Sequence, residues 1–351
     1  MLTDQIGRTL LWKYASLEQR NPNMALLRTR LSKFWFEPVP PDNLGICRIL
    51  FFGGVFFLYR GYDFRAWNQV SKIFWEPLWF FVRFHIPLVS AEVMGVIQLM
   101  WKISLALSCV GLFTRASNII SFLWSPYLLG IPHSFGKTHH YDAILVFIFL
   151  VMALARCGDA WSIDNLIQTV GQRDQEFREH VIASGEYRWP IRMVWLLMSL
   201  VFFTAGVSKL RHSGIAWVTS ETMAILLVQH QYHITDNDPL TKFGLYLTQP
   251  AFLPHLLAAM SLTLEVGYPL ALFWRTARWY FVPATALMQI GIRVLLGPSF
   301  EQHLICNVFW VPWDRILARF KASAAAMELF DRIAVPATQK LTEVLDLRRY
   351  L

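Results

Sequence analysis

Apolar positions in this chain come in long unbroken blocks, not in the alternation of a half-buried strand or the stripe of a soluble helix. One bilayer crossing takes about 20 apolar residues. On that measure the blocks predict eight spans, at 44–61, 93–113, 117–132, 141–156, 190–209, 251–273, 277–296 and 299–313. The expected fold is all-α, a polytopic membrane helical bundle. Ahead of it, Ile6, Leu10, Leu11, Tyr14 and Leu17 recur at helical spacing opposite Arg8, Lys13 and Arg20, the pattern of an amphipathic helix on a membrane surface. The stretch FEPVPPDN (36–43) separates that helix from the first span. The predicted organisation is an N-terminal arm over 1–43, a transmembrane domain over 44–315 and a short helical tail over 316–351. Connections 62–92 and 210–250 have the length of functional loops. Within the first, FWEPLWFFVRFHIPL (74–88) is too polar to span and is expected to be interfacial or re-entrant.

Composition agrees: 55% of residues are hydrophobic and only 16% charged, against about 25% charged in soluble chains. Aromatics reach 15%, with 15 Trp and 27 Phe, as suits lipid interfaces. The net charge of +8 is dispersed, so it points to anionic lipid and topology rather than nucleic acid. Twenty Lys and Arg fall in the two termini and the connections on their side, against eight on the other. Both termini are therefore expected in the cytoplasm, of a bacterial-type inner membrane. Cys47, Cys109, Cys157 and Cys306 are far apart and form no metal or redox motif. No metal is expected.

Charged groups inside apolar spans cost several kcal/mol and usually face a cavity or a partner. On this topology His139, His140 and Asp142 open the fourth span, and Lys209 closes the fifth on the same non-cytoplasmic side. His255 and Glu265 enter the sixth there, Gln289 and Arg293 approach it in the seventh, and Glu301 and His303 leave it in the eighth. That convergence predicts a shared polar cavity. Taken singly, Lys209 also reads as a snorkelling lysine and Glu265 as half of a structural ion pair, with Arg293 or a histidine as its partner. Arg48 and Lys102 are either further members or snorkellers.

Trp161-Ser162-Ile163-Asp164 after a span, then FFTAGVSKL ending the next span with Trp217 soon after, resembles the vitamin K-dependent gamma-glutamyl carboxylases. It is equally similar to their bacterial relatives, the horizontally transferred transmembrane (HTTM) domain proteins. The resemblance covers roughly 44–315, and A-G-V-x-K-L is its specific part. It implies that Lys209 is the base that deprotonates a reduced, vitamin K-like quinone, with His139 or His140 as the family histidine. In the carboxylases the quinol anion reacts with oxygen, and the alkoxide formed takes the γ-proton of a glutamate, which then captures carbon dioxide. The sequence departs from those enzymes in three places. Only 38 residues follow the last predicted span, against a large soluble domain there. Gln289 stands where an imidazole is expected, and the stretch after Trp217 does not resemble a glutamate-binding region.

The expected function is a carboxylase-like membrane enzyme with Lys209, His139, His140, Glu265 and Asp142 as catalytic candidates. Trp217, His255, Gln289, Arg293 and His303 are expected to bind the lipid-soluble quinol or isoprenoid. A second reading makes Asp142, Glu265 or a protonated histidine the acid of an isoprenoid cyclase or lyase, with aromatic faces stabilising carbocations. A third is a non-catalytic maturation, immunity or scaffold protein. The bilayer, a lipid-soluble molecule and a membrane or secreted protein are the expected partners. A transporter is disfavoured because no inverted repeat or broken helix pair is visible.

Overall fold

The computed structural model describes residues 22–136, 141–171, 183–232 and 239–322. The regular structure of the described residues is helical, apart from one isolated pairing of Val39 with Ser184. Its main helices are α1 (Pro22–Phe36), α2 (Asp42–Tyr59), α3 (Ala91–Val110), α4 (Thr114–Ser134), α5 (Ala143–Leu154) and α6 (Ile163–Gly171). They continue with α7 (Trp189–Ser213), α8 (Thr222–Tyr232), α9 (Phe252–Gly267), α10 (Arg275–Leu296), α11 (Glu301–Cys306) and α12 (Trp313–Ala322). The surface helix expected within 1–21 lies outside the described residues.

Four segments, Asp42–Tyr59, Ala91–Val110, Gly185–Ser213 and Arg275–Leu296, are long and apolar enough to cross a bilayer, and α5 and α9 are shorter apolar helices. Their outer faces carry Phe57, Leu99, Leu154 and Leu287 with more than half of each side chain exposed, the surface of a protein solvated by lipid. These helices mark an integral, multi-pass membrane protein. Two expected spans are not single helices. The sixth breaks at Tyr268-Pro269 into α9 and a short turn, because proline removes a ladder donor and resists continuing the helix behind it. The eighth is α11, a 3₁₀ turn and then α12 after Val311-Pro312. The stretch 74–88 carries only a five-residue helix, Trp79–Arg83, and does not span.

Polar side chains of α4 turn inward. Its Ser121 shares a hydrogen bond with Ser104 at 2.8 Å, and Trp101 donates to Ser125 at 2.9 Å. Small hydroxyl residues let helices approach closely and hydrogen-bond across an apolar interior. The apolar core is aromatic: Phe51, Phe149 and Phe309 meet edge to face, with Phe51 at 5.3 and 5.7 Å from the other two rings.

The W-S-x-D stretch is a staple at one end of this bundle. Arg48, fully buried in α2, donates to the carbonyls of Cys157 (3.1 Å) and Trp161. Trp161 in turn donates to Asp42 at 3.0 Å. Asp164 accepts from the backbone N–H of Phe113 and Thr114 and from the Thr114 hydroxyl, at 2.7–2.8 Å, satisfying orphan donors where α4 begins. Lys102 donates to the carbonyls of Arg60 and Tyr62, beyond the end of α2. Arg48 and Lys102 thus tie backbone together rather than snorkel or join a cavity.

Candidate functional site

At the opposite end α2, α4, α7 and α10 finish and α5, α9 and α11 start, and buried polar side chains form two clusters there. The first is built on Gly206. A Cβ on that glycine would stand 2.7 Å from Val266 Cγ2 and 3.0 Å from its backbone nitrogen. Only a residue without a side chain lets α7 and α9 cross this closely. Lys209 follows three residues later, on the same face of α7. Its Nζ donates to both carboxylate oxygens of Glu265 at 2.6 Å.

Lys209 is therefore turned into the bundle, with its side chain 23% exposed and that of Glu265 9% exposed. The partner of Glu265 is this lysine and not Arg293, which donates to the Gly297 carbonyl at 2.7 Å near the end of α10. The cause is local: Gly206 brings α7, not α10, against Glu265. The Trp217 ring faces the ammonium at 5.2 Å, and its buried Nε1 has no hydrogen-bond partner. Gly214, at φ +58°, turns the chain between Lys209 and Trp217. The Nδ1–H of His255 donates to the Val218 carbonyl at 2.8 Å, which pins the Trp217 segment to the start of α9 and sets that tautomer. Its Nε2 lies 3.9 Å from Glu221.

The second cluster surrounds Asp142. One carboxylate oxygen accepts from the Tyr59 hydroxyl and from Gln302 at 2.8 Å, while His133 Nε2 stands 3.5 Å from the other. A cavity of about 170 Å³ lies against Tyr59, Asp142, Glu301 and Gln302. His303, 5% exposed and without a partner on Nδ1, packs between Tyr141, Phe300 and Phe202. Phe202 links the clusters: its ring meets His303 at 6.3 Å and Tyr268 at 4.4 Å. Phe202 lies seven residues before Lys209, about 10 Å along α7.

Lys209, Glu265, Trp217 and His255 are thus brought together, and Asp142 with His303 forms a neighbouring group. Gln289 is buried in α10 with its Oε1 unpartnered. Arg293 is held at the end of α10 by its bond to the Gly297 carbonyl. His139 and His140 lie outside the described residues. Tyr59, His133 and Gln302 escaped the sequence reading, because a tyrosine, a histidine and a glutamine near span ends look like interfacial residues. Among the described residues no three His, Cys, Asp or Glu side chains gather as metal ligands.

Residues 36–295 match the family model described as the HTTM domain, about three quarters of the chain, and the chain belongs to that family. No curated protein and no solved structure matches it.

Proposed function

We propose that the Lys209 end of this HTTM-family protein is the reaction centre of a carboxylase-like membrane enzyme acting on a lipid-soluble quinol. The class is supported by the domain, which vitamin K-dependent carboxylases share. The observation that carries the chemistry is the Lys209–Glu265 pair facing Trp217.

The pair works as one unit. With both carboxylate oxygens on the ammonium, Lys209 takes up a proton from a substrate hydroxyl as it passes its own to Glu265. The lysine stays cationic beside the oxygen that becomes negative, and the proton is stored on the carboxylate. Such preorganised charge is worth most where water is excluded. Residues suited to a quinol are present: Trp217 offers a ring face and an unpartnered Nε1–H, and Phe203, Val207 and Leu210 on α7 are 38–40% exposed toward the lipid from which a tail arrives. A bound quinol would supply an acidic hydroxyl and a reducing ring. His255 holds the Trp217 segment in place, while Asp142, Tyr59 and His133 provide a second proton-handling group. His139 or His140 is the family histidine, and Gln289, Arg293 and His303 complete the walls.

The same reading has eight crossings with both termini in the cytoplasm, so the site faces away from it. Base chemistry is favoured over acid-driven isoprenoid cyclisation because Asp142, an acid which that chemistry would need, is already engaged by Tyr59 and Gln302. The test is consumption of a reduced long-chain naphthoquinone by the full chain in liposomes. Lys209→Ala and Glu265→Gln are each expected to slow it at least about 100-fold. Lys209→Arg is expected to fail as well, because a guanidinium does not give up its proton. Full activity in Lys209→Arg would sink the base mechanism, and no consumption by the unaltered protein would leave the scaffold reading in its place.

A further inference from the structure

The staple end of the bundle holds a second and larger cavity, of about 610 Å³, a volume typical of small-molecule sites. Helix α7 joins the two ends. Lys209 and Arg192 are 17 residues apart, about 25 Å at the 1.5 Å helical rise, so this cavity is separate from the site above. Its polar lining is dominated by Arg188, Arg192, Arg275, Arg278, Arg315 and Arg319, with Asp314 the one carboxylate among the described residues. Arg188 is neutralised by Glu37 at 2.7 Å. Arg278 places Nε and Nη2 on the carbonyls of Ala271 and Leu272.

Arg192 is different. It is 8% exposed, its guanidinium lies 4.6 Å from the Phe34 ring and 4.4 Å from that of Trp195, and its Nε and Nη1 have no hydrogen-bond partner. Aromatic faces stabilise the cation but leave both donors unused. A buried charge without a hydrogen-bonded counter-ion is costly. Helices α7, α10 and α12 all start around this cavity, and their N-terminal N–H groups add positive partial charge. Most of the remaining wall is apolar, from Val282, Pro283 and Ala286 of α10 to Ile316 of α12, with Asn43 and Asn307 as its uncharged polar side chains. Trp279, 68% exposed, stands at its rim.

We infer that this cavity binds an anionic amphiphile, its phosphate headgroup on Arg192 and the neighbouring arginines and its hydrocarbon chain along α10. Free phosphate would satisfy the arginines and leave the apolar wall bare. A neutral lipid would cover the wall and leave Arg192 unpaired. A membrane phospholipid and a prenyl phosphate share the required chemistry.

The probe is dodecyl phosphate, titrated against the full chain in dodecyl maltoside micelles with thermal stability as the readout. Saturable stabilisation is expected from dodecyl phosphate, and neither dodecanol nor inorganic phosphate at the same concentration should reproduce it. Arg192→Gln should weaken binding about tenfold, the loss of one charge-assisted hydrogen-bonding group, and Arg192→Lys by less. Should Arg192→Gln fail to fold, the double variant Arg275→Glu, Arg315→Glu alters two exposed side chains and should also bind at least about tenfold more weakly. Lys209→Ala should change binding less than about twofold, so failure here and failure of the quinol reading are distinct. Displacement by dipalmitoyl phosphatidic acid identifies a membrane lipid, and stronger displacement by farnesyl phosphate identifies an isoprenoid. The inference is overturned if inorganic phosphate stabilises equally, if neither lipid competes, or if the folded arginine variants bind like the unaltered protein.

Discussion

Lys209 and Arg192 are two cations on one helix, each beside a tryptophan ring, at 5.2 Å from Trp217 and 4.4 Å from Trp195. What separates them is compensation. Lys209 holds both oxygens of a carboxylate at 2.6 Å, whereas Arg192 has two unpartnered nitrogens and more arginines for neighbours. A compensated pair is neutral as a unit and can move a proton within itself, so its chemistry is internal. An uncompensated cation lowers its energy only by acquiring an anion from outside, so its chemistry is recognition. The same residue class in the same helix therefore serves two ends in different ways.

The comparison breaks most sharply at the pair itself. Lys209→Ala leaves the Glu265 carboxylate buried alone and is expected to cost about 3 kcal/mol of stability, together with the loss of quinol turnover. Glu265→Gln should cost less, since the more exposed Lys209 keeps some solvent. The double variant Lys209→Met, Glu265→Leu should recover most of that stability and none of the turnover. Chemical denaturation beside the liposome assay separates the two, and recovered turnover would make the pair a mere structural bridge.

A smaller effect tests how the pair is assembled. Gly206→Ala places a methyl 2.7 Å from Val266 Cγ2, which should cost about 1–3 kcal/mol through overpacking. Because the strain falls between α7 and α9, turnover should fall while dodecyl phosphate binding at the other end persists. Asp164→Ala is the mirror experiment. Losing the cap on α4 should cost about 1 kcal/mol and lower the melting temperature with turnover per folded molecule intact.

The smallest effect calibrates compensation in water. Asp63 and Arg65 pair at 2.8 Å with side chains 45% and 55% exposed. The hydrogen bond from Arg65 holds the Asp63 carboxyl down at about 2. A depressed folded-state value adds stability above the ordinary carboxylate range near 3.9 and loses it as pH falls toward 2. Solvent screening limits the gain to under about 0.5 kcal/mol. Asp63→Asn should thus shift the denaturation midpoint slightly at pH 7 and not at all near pH 2, while a shift as large as that of Lys209→Ala would erase the contrast between buried and exposed pairs.

Several features were legible in the chain because they depend on local pattern. The apolar blocks foretold helices, and α2, α3, α7 and α10 appear within a few residues of the expected spans. The depth of Lys209, Glu265 and Asp142 along their spans predicted one shared polar cavity, but Lys209 with Glu265 and Asp142 with Tyr59 form two clusters, and the cavity at that end is lined by the second alone. The A-G-V-x-K-L stretch carried the family, and the family model agrees. At two prolines the pattern misled: apolarity runs through Tyr268-Pro269 and Val311-Pro312, but the backbone there does not stay in one helix, whereas Pro126, Pro132 and Pro283 lie inside continuous helices.

Pairing was not legible, because it depends on which helices touch. Glu265 had several cations at suitable depth, and the choice of Lys209 rests on one missing Cβ at Gly206. Arg48 read as either a cavity member or a snorkeller until the bundle placed it beneath the carbonyls of Cys157 and Trp161. The arginines around Arg192 are scattered from 188 to 319 and read as positive-inside charges; only packing brings them around one cavity. Sequence alone determined the lipid-solvated helical class, the family and the depth of each charge, since those follow from composition and one-dimensional spacing. The tertiary structure decided which charges meet a counter-charge and which do not, because compensation acts over a few ångströms between residues that are far apart in the chain.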